Sequence, residues 1–270
     1  MMIDFAKMQS TGNDFILVEC KQDHSIQLSE MHIKKMCDRR FGIGADGLII
    51  TAREDVDRIS MNYFNSDGKP AAVCGNGLRA AALFAKVMGM IKASASFFIT
   101  AGDGDHEALF EDNGDIRVQI FLKSEVVQIN EKIFNLSIPV ESAAFADTGV
   151  PHLVLNVKND LESVNVNQVG KMLRFHSYFE PEGTNVNFVR VFSPQKLYVR
   201  TYERGIEDET YSCGTGVVAS AFSYWKSISD TPDIDILVKG GRLKVFKKNE
   251  KTFLSGPSAI VFSGHYFYEQ

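Results

Sequence analysis

The sequence predicts an α/β (α+β) protein of two pseudo-symmetric halves, and three observations predict it. The block "NSDGKPAAVCGNGLRAAALF" (residues 65 to 84) returns in outline as "YSCGTGVVASAF" (residues 211 to 222), each a Cys-Gly-X-Gly element leading into an apolar, alanine-containing run. The two cysteines, Cys74 and Cys213, stand 139 residues apart (213 − 74), close to half of the 270-residue chain. Short β-branched and aromatic runs alternate with helical segments in one order before about residue 125, and in that order again after it. Such a period is too long for a solenoid unit and suits two equivalent domains, 1–126 and 127–258. A fused pair with its active site in the cleft between halves would put one cysteine on each wall.

In order along the chain, "IDFAKM" and "DFILVEC" read as strands around the turn "QSTGN". A helix follows, capped by Ser29, patterned by Met31, Ile33, Lys34 and Met36, carrying "DRR" near its C-terminal end and stopped by Gly42. "ADGLIIT" and "RISMNYFN" read as strands, "CGNGLRAAALFAKVMGMI" as a helix, and "SFFIT", "EALFE" and "DIRVQIFL" as strands. The second half repeats this with "HLVLNV" as a strand, "NQVGKMLRF" as a helix, then "NVNFVRVF" and "LYVRTYE" as strands and the second cysteine-headed helix. "IDILVKGGRLKVF" is a hairpin joined at Gly240 and Gly241, and "AIVFSGHYF" is a last strand.

Composition narrows the function. Apolar residues make up 44% and charged residues 23%, ordinary for a globular protein, and no apolar run is long enough to span a bilayer. The net charge of −5 is spread along the chain with no basic stripe, so nucleic acid is a poor partner and a membrane is not expected. The start "MMIDFAKMQSTGNDF" carries Asp4 early and lacks the pattern of a secretory signal, which reads as cytoplasmic. Cys20, Cys37, Cys74 and Cys213 lie far apart without a CxxC pair, which suits neither a disulfide scaffold nor a zinc or other metal site. Free thiols in a reducing compartment are the simpler reading.

A cysteine at a helix N-terminus faces backbone N–H groups without intrahelical partners and the positive end of the macrodipole. That setting stabilises a thiolate, whose ordinary pKa is about 8.5. The glycines after each cysteine let a ligand approach the backbone, and a carboxylate suits the same N–H groups. Inverting a stereocentre needs two acid/base groups on opposite faces, one thiolate and one thiol, with the assignment exchanged for the reverse direction. Paired thiols from a pseudo-two-fold protein meet that need. Cys20 and Cys37 read instead as small buried hydrophobes. "FGIGADG" (41 to 47) lacks the strand and spacing of a dinucleotide fingerprint. Asn65, Asn76 and Asn185 offer amides to a zwitterion or to local turns. Glu203 and Arg204 are either a surface pair or the recognition of ammonium and carboxylate, and His152 is a cleft hydrogen bonder or a loop residue.

The segments "TGNDFILVE", "DRRFGIGADGLI", "YFNSDGKPAAVCGNGLRAAA", "TNVNFV", "YERG", "SCGTG" and "GGRL", in this order over essentially the whole chain, closely resemble the diaminopimelate epimerase family. The resemblance implies two similar domains, each a β-barrel-like sheet around a central helix, with the last strand (about 259–270) returning to the first. It implies epimerisation of LL-2,6-diaminopimelate to the meso form without pyridoxal phosphate or any other cofactor, with Cys74 and Cys213 as the thiol pair. By residue-by-residue match it also implies substrate binding by Asn13, Asn65, Gly75, Asn76, Asn185, Glu203, Arg204, Gly214 and Thr215. His152 and Glu203 match positions that tune the site. Relatives often dimerise near the C-terminus, here around Phe262, so a homodimer is expected.

The chain departs from the family at three places. Val150 in "GVPH" stands where a polar binder is common, Lys69 and Pro70 follow Asp67-Gly68, and the loop between "ERG" and Cys213 is one residue longer. Two alternatives stay open at this point: a racemase or epimerase of proline, hydroxyproline or histidine type on the same fold, and a non-catalytic amino acid binding protein.

Overall fold

The computed structural model describes residues 2–21, 28–92, 96–158, 160–228 and 231–267. The chain divides into two units, Met1–Gln119 with Ser255–Gln270, and Ile120–Leu254.

In the first unit, β1 (Met2–Ser10) and β2 (Asn13–Glu19) pair antiparallel across Thr11 and Gly12, both at positive φ. After α1 (Glu30–Cys37), β3 (Gly47–Asp55) lies parallel to β2 and β4 (Arg58–Asn65) antiparallel to β3. The two-residue β5 (Pro70–Ala71) folds back on β4 and leads into α2 (Gly75–Val87). Strand β6 (Phe97–Ala101) then lies parallel to β4, with β7 (Gly104–Phe110) and β8 (Ile116–Ile120) continuing antiparallel.

The second unit opens with β9 (Val127–Ile129) on β10 (Val140–Asp147), and β10 pairs antiparallel with β11 (Pro151–Val157). After α3 (Val166–Arg174), β12 (Asn185–Ser193) lies parallel to β11 and β13 (Lys196–Glu203) antiparallel to β12. The short β14 (Asp208–Thr210) folds back on β13 and leads into α4 (Gly214–Ser227). Strand β15 (Asp233–Val238) is parallel to β13, and β16 (Gly241–Lys248) is antiparallel to β15. The chain leaves this unit within β17 (Lys251–Gly256), and β18 (Ala259–Phe267) pairs antiparallel with β1. The remainder of the expected last strand, 268–270, lies outside the described residues.

Strand directions thus repeat: β1 to β7 with α1 and α2 correspond to β10 to β16 with α3 and α4. The offset is 138 residues at the strands (151 − 13, 185 − 47 and 196 − 58). It becomes 139 at the cysteines because the segment from Glu203 to Cys213 is one residue longer than that from Asn65 to Cys74.

In each unit the cysteine-headed helix is the buried one. Helix α2 packs on β1, β2, β3, β4 and β18, and α4 on β10, β11, β12, β13 and β16. Both are apolar nearly all round, as a helix enclosed by strands must be. Ala80, Ala81, Ala82 and Ala85 of α2 and Val217, Val218, Ala219 and Ala221 of α4 are fully buried. Their small or β-branched side chains allow close approach of the strands, and each methylene they bury contributes about 0.8 kcal/mol.

The structure differs from the sequence-based expectation at several elements. Helix α1 ends at Cys37, so Arg39, Arg40 and Gly42 lie beyond it. Asp38 breaks the helix by turning extended and accepting the N–H groups of Arg40 and Phe41, each at 2.8 Å. Gly42 is packed against that last turn, where a Cβ would sit 2.0 Å from the Lys35 carbonyl oxygen. Helix α2 ends at Val87, and Gly89 at φ +69 redirects the chain. The β15–β16 turn is Lys239–Gly240, one residue earlier than expected. Strands β5, β9, β10, β14 and β17 are not among the expected elements. The alanines of β10, "VESAAFAD", have weak strand propensity; pairing with β9 and β11 and packing under α4 make it a strand. Cys37 is buried, and burial pushes its thiol up to about 12, whereas Cys20 is half-buried rather than a core residue. Among the described residues no helix is long and apolar enough to cross a membrane.

Candidate active site

Each unit presents one thiol as the N-cap of its central helix, and each cysteine is extended while the next residue is already helical. In the first unit Cys74 Sγ accepts the N–H of Gly77 at 3.4 Å, the bond that a serine or aspartate cap would make. Cys74 Sγ also donates to Asn13 Oδ1 at 3.7 Å. The same Oδ1 accepts Asn76 Nδ2 at 3.1 Å, and Asn76 Oδ1 accepts Arg79 Nη2 at 2.8 Å. Asn13, Asn76 and Cys74 are therefore joined in one network. Asn76 is fully buried with both ends of its amide engaged, so its side chain positions Asn13.

Behind Asn13 lies a set of paired charges. Asn13 Nδ2 donates to Asp46 Oδ2 at 2.6 Å, and Arg39 grips Asp14 with two bonds (2.9 and 2.7 Å) and Asp46 with a third (2.7 Å). Lys7, itself buried, adds an ion pair to Asp14 at 2.6 Å. Burial works against the Asp14 charge, yet hydrogen bonds from Arg39 and Lys7 overcome it and hold the carboxyl at about 2. Asp46 moves the other way, raised by burial and then by the neighbouring Asp14 charge.

In the second unit Cys213 is buried and makes no capping bond through its side chain; Sγ lies 3.5 Å from Thr215 Oγ1. Thr148 Oγ1 donates to the Thr215 carbonyl at 3.1 Å and fixes this first turn. Below it sits a fully buried pair, His152 and Asn187. Asn187 Nδ2 donates to the Leu153 carbonyl at 3.0 Å, which fixes the amide, since a carbonyl only accepts. The same Nδ2 donates to His152 Nδ1 at 3.1 Å, and Thr201 Oγ1 donates to Asn187 Oδ1 at 3.0 Å. This assigns the imidazole proton to Nε2, which has no hydrogen-bond partner among the described residues. Burial, then the Arg204 charge, lowers the His152 pKa to about 3, so the ring is neutral at physiological pH. The CGTG glycine Gly216 rests on this pair: a Cβ there would lie 2.2 Å from Asn187 Oδ1 and 3.3 Å from the His152 ring.

Asn185 Nδ2 donates to the Pro151 carbonyl at 2.9 Å, and its Oδ1 accepts the Arg204 N–H at 2.8 Å, which ties the start of β11 to the loop after β13. The Arg204 guanidinium reaches the Glu182 carbonyl at 3.3 Å. Glu203 closes β13 opposite Asp208. Asn65 ends β4 in an exposed turn with Gly68 and Lys69 and has no bond to Cys74 or Asn13. Gly75 and Gly214 are the first helical residues after their thiols, with Thr215 following Gly214. Val150 is half-buried beside Thr148.

Sequence reasoning missed Asn187, Thr201, Thr148, Asp46 and Arg79. A signal existed for two of them. In "NVNF" two asparagines alternate within an apolar strand, which puts Asn187 on the same face as Asn185. Arg79 is a charge inside the apolar run "GLRAAALFA" of a helix that the strands enclose.

The model of the family described as diaminopimelate epimerase matches residues 5–120 and 144–261. A diaminopimelate epimerase of Flavobacterium psychrophilum is 38% identical over 262 residues, covering 95% of this chain and 97% of the relative. One from a Hydrogenobaculum species is 36% identical over 280 residues, covering 97% and 98%. Among solved structures, a phenazine biosynthesis protein of the PhzF family from Bacillus anthracis superposes with a TM-score of 0.75 at 15% identity, covering 99% of this chain and 100% of that one. A hydroxyproline epimerase from Agrobacterium vitis, with bound trans-4-hydroxy-L-proline, gives 0.71 at 12% identity, covering 98% and 92%. At those identities the two structures show a shared fold.

Proposed function

The chain belongs to the diaminopimelate epimerase family, and from that premise we propose how its residues carry out the family's reaction. The protein is an isomerase, an amino acid epimerase that interconverts LL- and meso-diaminopimelate. The observation that carries the mechanistic reading is the pair of N-cap thiols, one on each equivalent helix of an internally repeated fold.

The thiolate of one cysteine takes the Cα proton, and the electron pair of that C–H bond remains on carbon. The other thiol gives its S–H proton to the opposite face of the same carbon and becomes the thiolate. The reverse reaction begins with the assignment exchanged. Main-chain N–H groups at Gly75 and Asn76, and at Gly214 and Thr215, receive the carboxylate next to the reacting carbon, as first-turn amides do for anions. Asn13, Asn65, Asn185, Glu203 and Arg204 bind the remaining amino and carboxylate groups. Neutral His152 keeps an Nε2–H without a partner among the described residues and donates it to the substrate without competing as a base, because its low pKa keeps it deprotonated.

The two thiols supply both proton transfers, so the reaction proceeds without pyridoxal phosphate. A thiol pair also has to stay reduced, which puts the enzyme in the cytoplasm, where the product serves lysine synthesis. Strand β18 leaves Ile260, Val261, Phe262 and Phe267 exposed, apolar side chains that support a homodimer through this strand.

The test is to incubate the reduced, purified protein with LL-diaminopimelate and no added cofactor, and to follow meso product by chiral chromatography. Meso product is expected. A folded, reduced sample that forms none, but epimerises proline or hydroxyproline, would overturn the substrate assignment, and Val150 is the first residue to examine in that case.

A further inference from the structure

Asn187 is a fully buried amide in the middle of the apolar strand β12, where the first unit places Ile49 (49 + 138), an apolar residue buried to the same degree. Packing alone is thus satisfied at this position without a polar group. A buried amide is costly wherever one of its donors or its oxygen is left unpaired. Here the two neighbouring strands meet both ends. Nδ2 gives one hydrogen to the Leu153 carbonyl at 3.0 Å and the other to His152 Nδ1 at 3.1 Å, both on β11. Oδ1 accepts Thr201 Oγ1 at 3.0 Å, from the position directly opposite on β13. Gly216 leaves room for the amide, since a Cβ there would lie 2.2 Å from Oδ1.

We propose that Asn187 is a positioning residue for His152: it fixes the ring as the Nε2–H tautomer and closes Nδ1 to protons, so that His152 meets the substrate only as a hydrogen-bond donor. This rests on the reading of His152 as a donor to the substrate. The direction of the amide follows from its partners. The Leu153 carbonyl can only accept, so the amide nitrogen has to face β11, and turning the amide over would set Oδ1 against that carbonyl. With Nδ2 donating, Nδ1 has to be the lone-pair nitrogen of the ring, because two N–H groups cannot share one bond.

The neutral ring then carries its proton on Nε2, a buried atom without a partner among the described residues, and that N–H is left for an acceptor oxygen of a ligand. A second proton would have to go to Nδ1, where the amide already stands, and burial and the Arg204 charge oppose it too. A ring held in this way cannot take the Cα proton in place of a thiol. The first unit has Asp14 in the place of His152 (14 + 138) and Tyr63 in the place of Thr201 (63 + 138), so the histidine, its asparagine and the supporting threonine occur together in the second unit.

The test is long-range ¹H–¹⁵N NMR at neutral pH, which separates protonated from lone-pair ring nitrogens; the His152 signals are those missing from His152→Gln. The wild type should show Nε2 protonated and Nδ1 bare. Asn187→Asp keeps the shape of the amide but sets an acceptor oxygen at Nδ1, so Nδ1 should become protonated. The kcat/KM for epimerisation should then fall about tenfold or more, the worth of one hydrogen bond to a charged group. Asn187→Leu, close in kind to Ile49, should give a mixture of tautomers and a smaller loss. A purely structural role would lower stability and leave Nδ1 bare in both variants, and that result overturns the proposal. If neither variant folds, the wild-type spectrum decides, and a protonated Nδ1 there overturns it as well. If the nitrogens behave as expected while Asn187→Asp and His152→Gln both turn over at the wild-type rate, the reading of His152 as a substrate donor has failed, and the hold of Asn187 on the ring has not.

Discussion

The starts of α2 and α4 stand on the same strand order, with the same Cys-Gly-X-Gly sequence and the same N-cap geometry, yet the groups beneath them differ in kind. Under Gly77 lies Ile49, and the equivalent strand position under Gly216 is Asn187 (49 + 138). Charged Asp14 corresponds in the same way to neutral His152 (14 + 138), and buried Arg79 to Val218. The first thiol bonds an asparagine that paired charges hold and accepts a backbone N–H; the second stands over a neutral histidine–asparagine pair and is more deeply buried. Duplication supplies two thiols, and divergence of the supporting residues gives them different surroundings. A proton-transfer pair has one member that starts as the base and one as the acid.

The largest expected effect tests whether the two halves are equally necessary. Cys74→Ser and Cys213→Ser should each lower the kcat/KM for epimerisation by about 10²–10⁴, the usual contribution of a positioned acid or base. A single variant that retained wild-type turnover would show one thiol to be dispensable.

The second prediction separates Asp14 from His152 by pH. Both have folded-state pKa values below their ordinary ones, so in each case the unfolded chain binds a proton that the folded chain excludes. Stability is full above the ordinary pKa and falls as the pH drops towards the folded value. For His152 the window runs from 6.5 down to about 3, and for Asp14 from 3.8 down to about 2. One excluded proton corresponds to a slope of at most about 1.4 kcal/mol per pH unit. His152→Gln should flatten urea-derived stability between pH 6.5 and 4, while Asp14→Asn should leave that range alone and act only below it. Equal acid slopes in wild type and His152→Gln would mean that the ring is charged in the folded protein.

The smallest effect contrasts the two glycines. A Cβ at Gly216 would meet Asn187 Oδ1 at 2.2 Å, whereas at Gly77 the nearest atom is the flexible end of Ile49 at 3.1 Å. Gly216→Ala should cost about 1–3 kcal/mol in chemical denaturation, as overpacking does, and Gly77→Ala less than about 1 kcal/mol, offset by better helix propensity. Similar losses at both would indicate that the two helix starts are packed alike.

Much of this was legible in the sequence because the repeat is carried by residues with strong local signals. The helices begin at Cys-Gly-X-Gly and run on in alanine and valine, and the strands carry β-branched and aromatic residues. Where local signal fails, tertiary contact decides. Strand β10 carries three alanines among its eight residues and is a strand through its neighbours. The end of α1 depends on one carboxylate, Asp38, that captures two N–H groups. At the site the thiols and the asparagines could be singled out by type, but not what the asparagines do. Asn76 gives both ends of its amide to protein partners, Asn185 also braces Pro151 and Arg204, and Asn187 orients a histidine 35 residues away in sequence. Those bonds depend on strand register, β11 beside β12 above all, which no local pattern encodes.

The central claim is that two different thiols serve one carbon, and the isotopic content of the first product tests it most directly. LL-diaminopimelate is converted in deuterated water to a few per cent, and both epimers are analysed by mass spectrometry and NMR. The account predicts meso product carrying one deuterium at Cα, because the returning proton comes from a thiol already equilibrated with solvent, while the recovered LL substrate is unlabelled. Meso product that retains the substrate's own hydrogen would mean that a single group removes and returns the proton, and would contradict the two-thiol account.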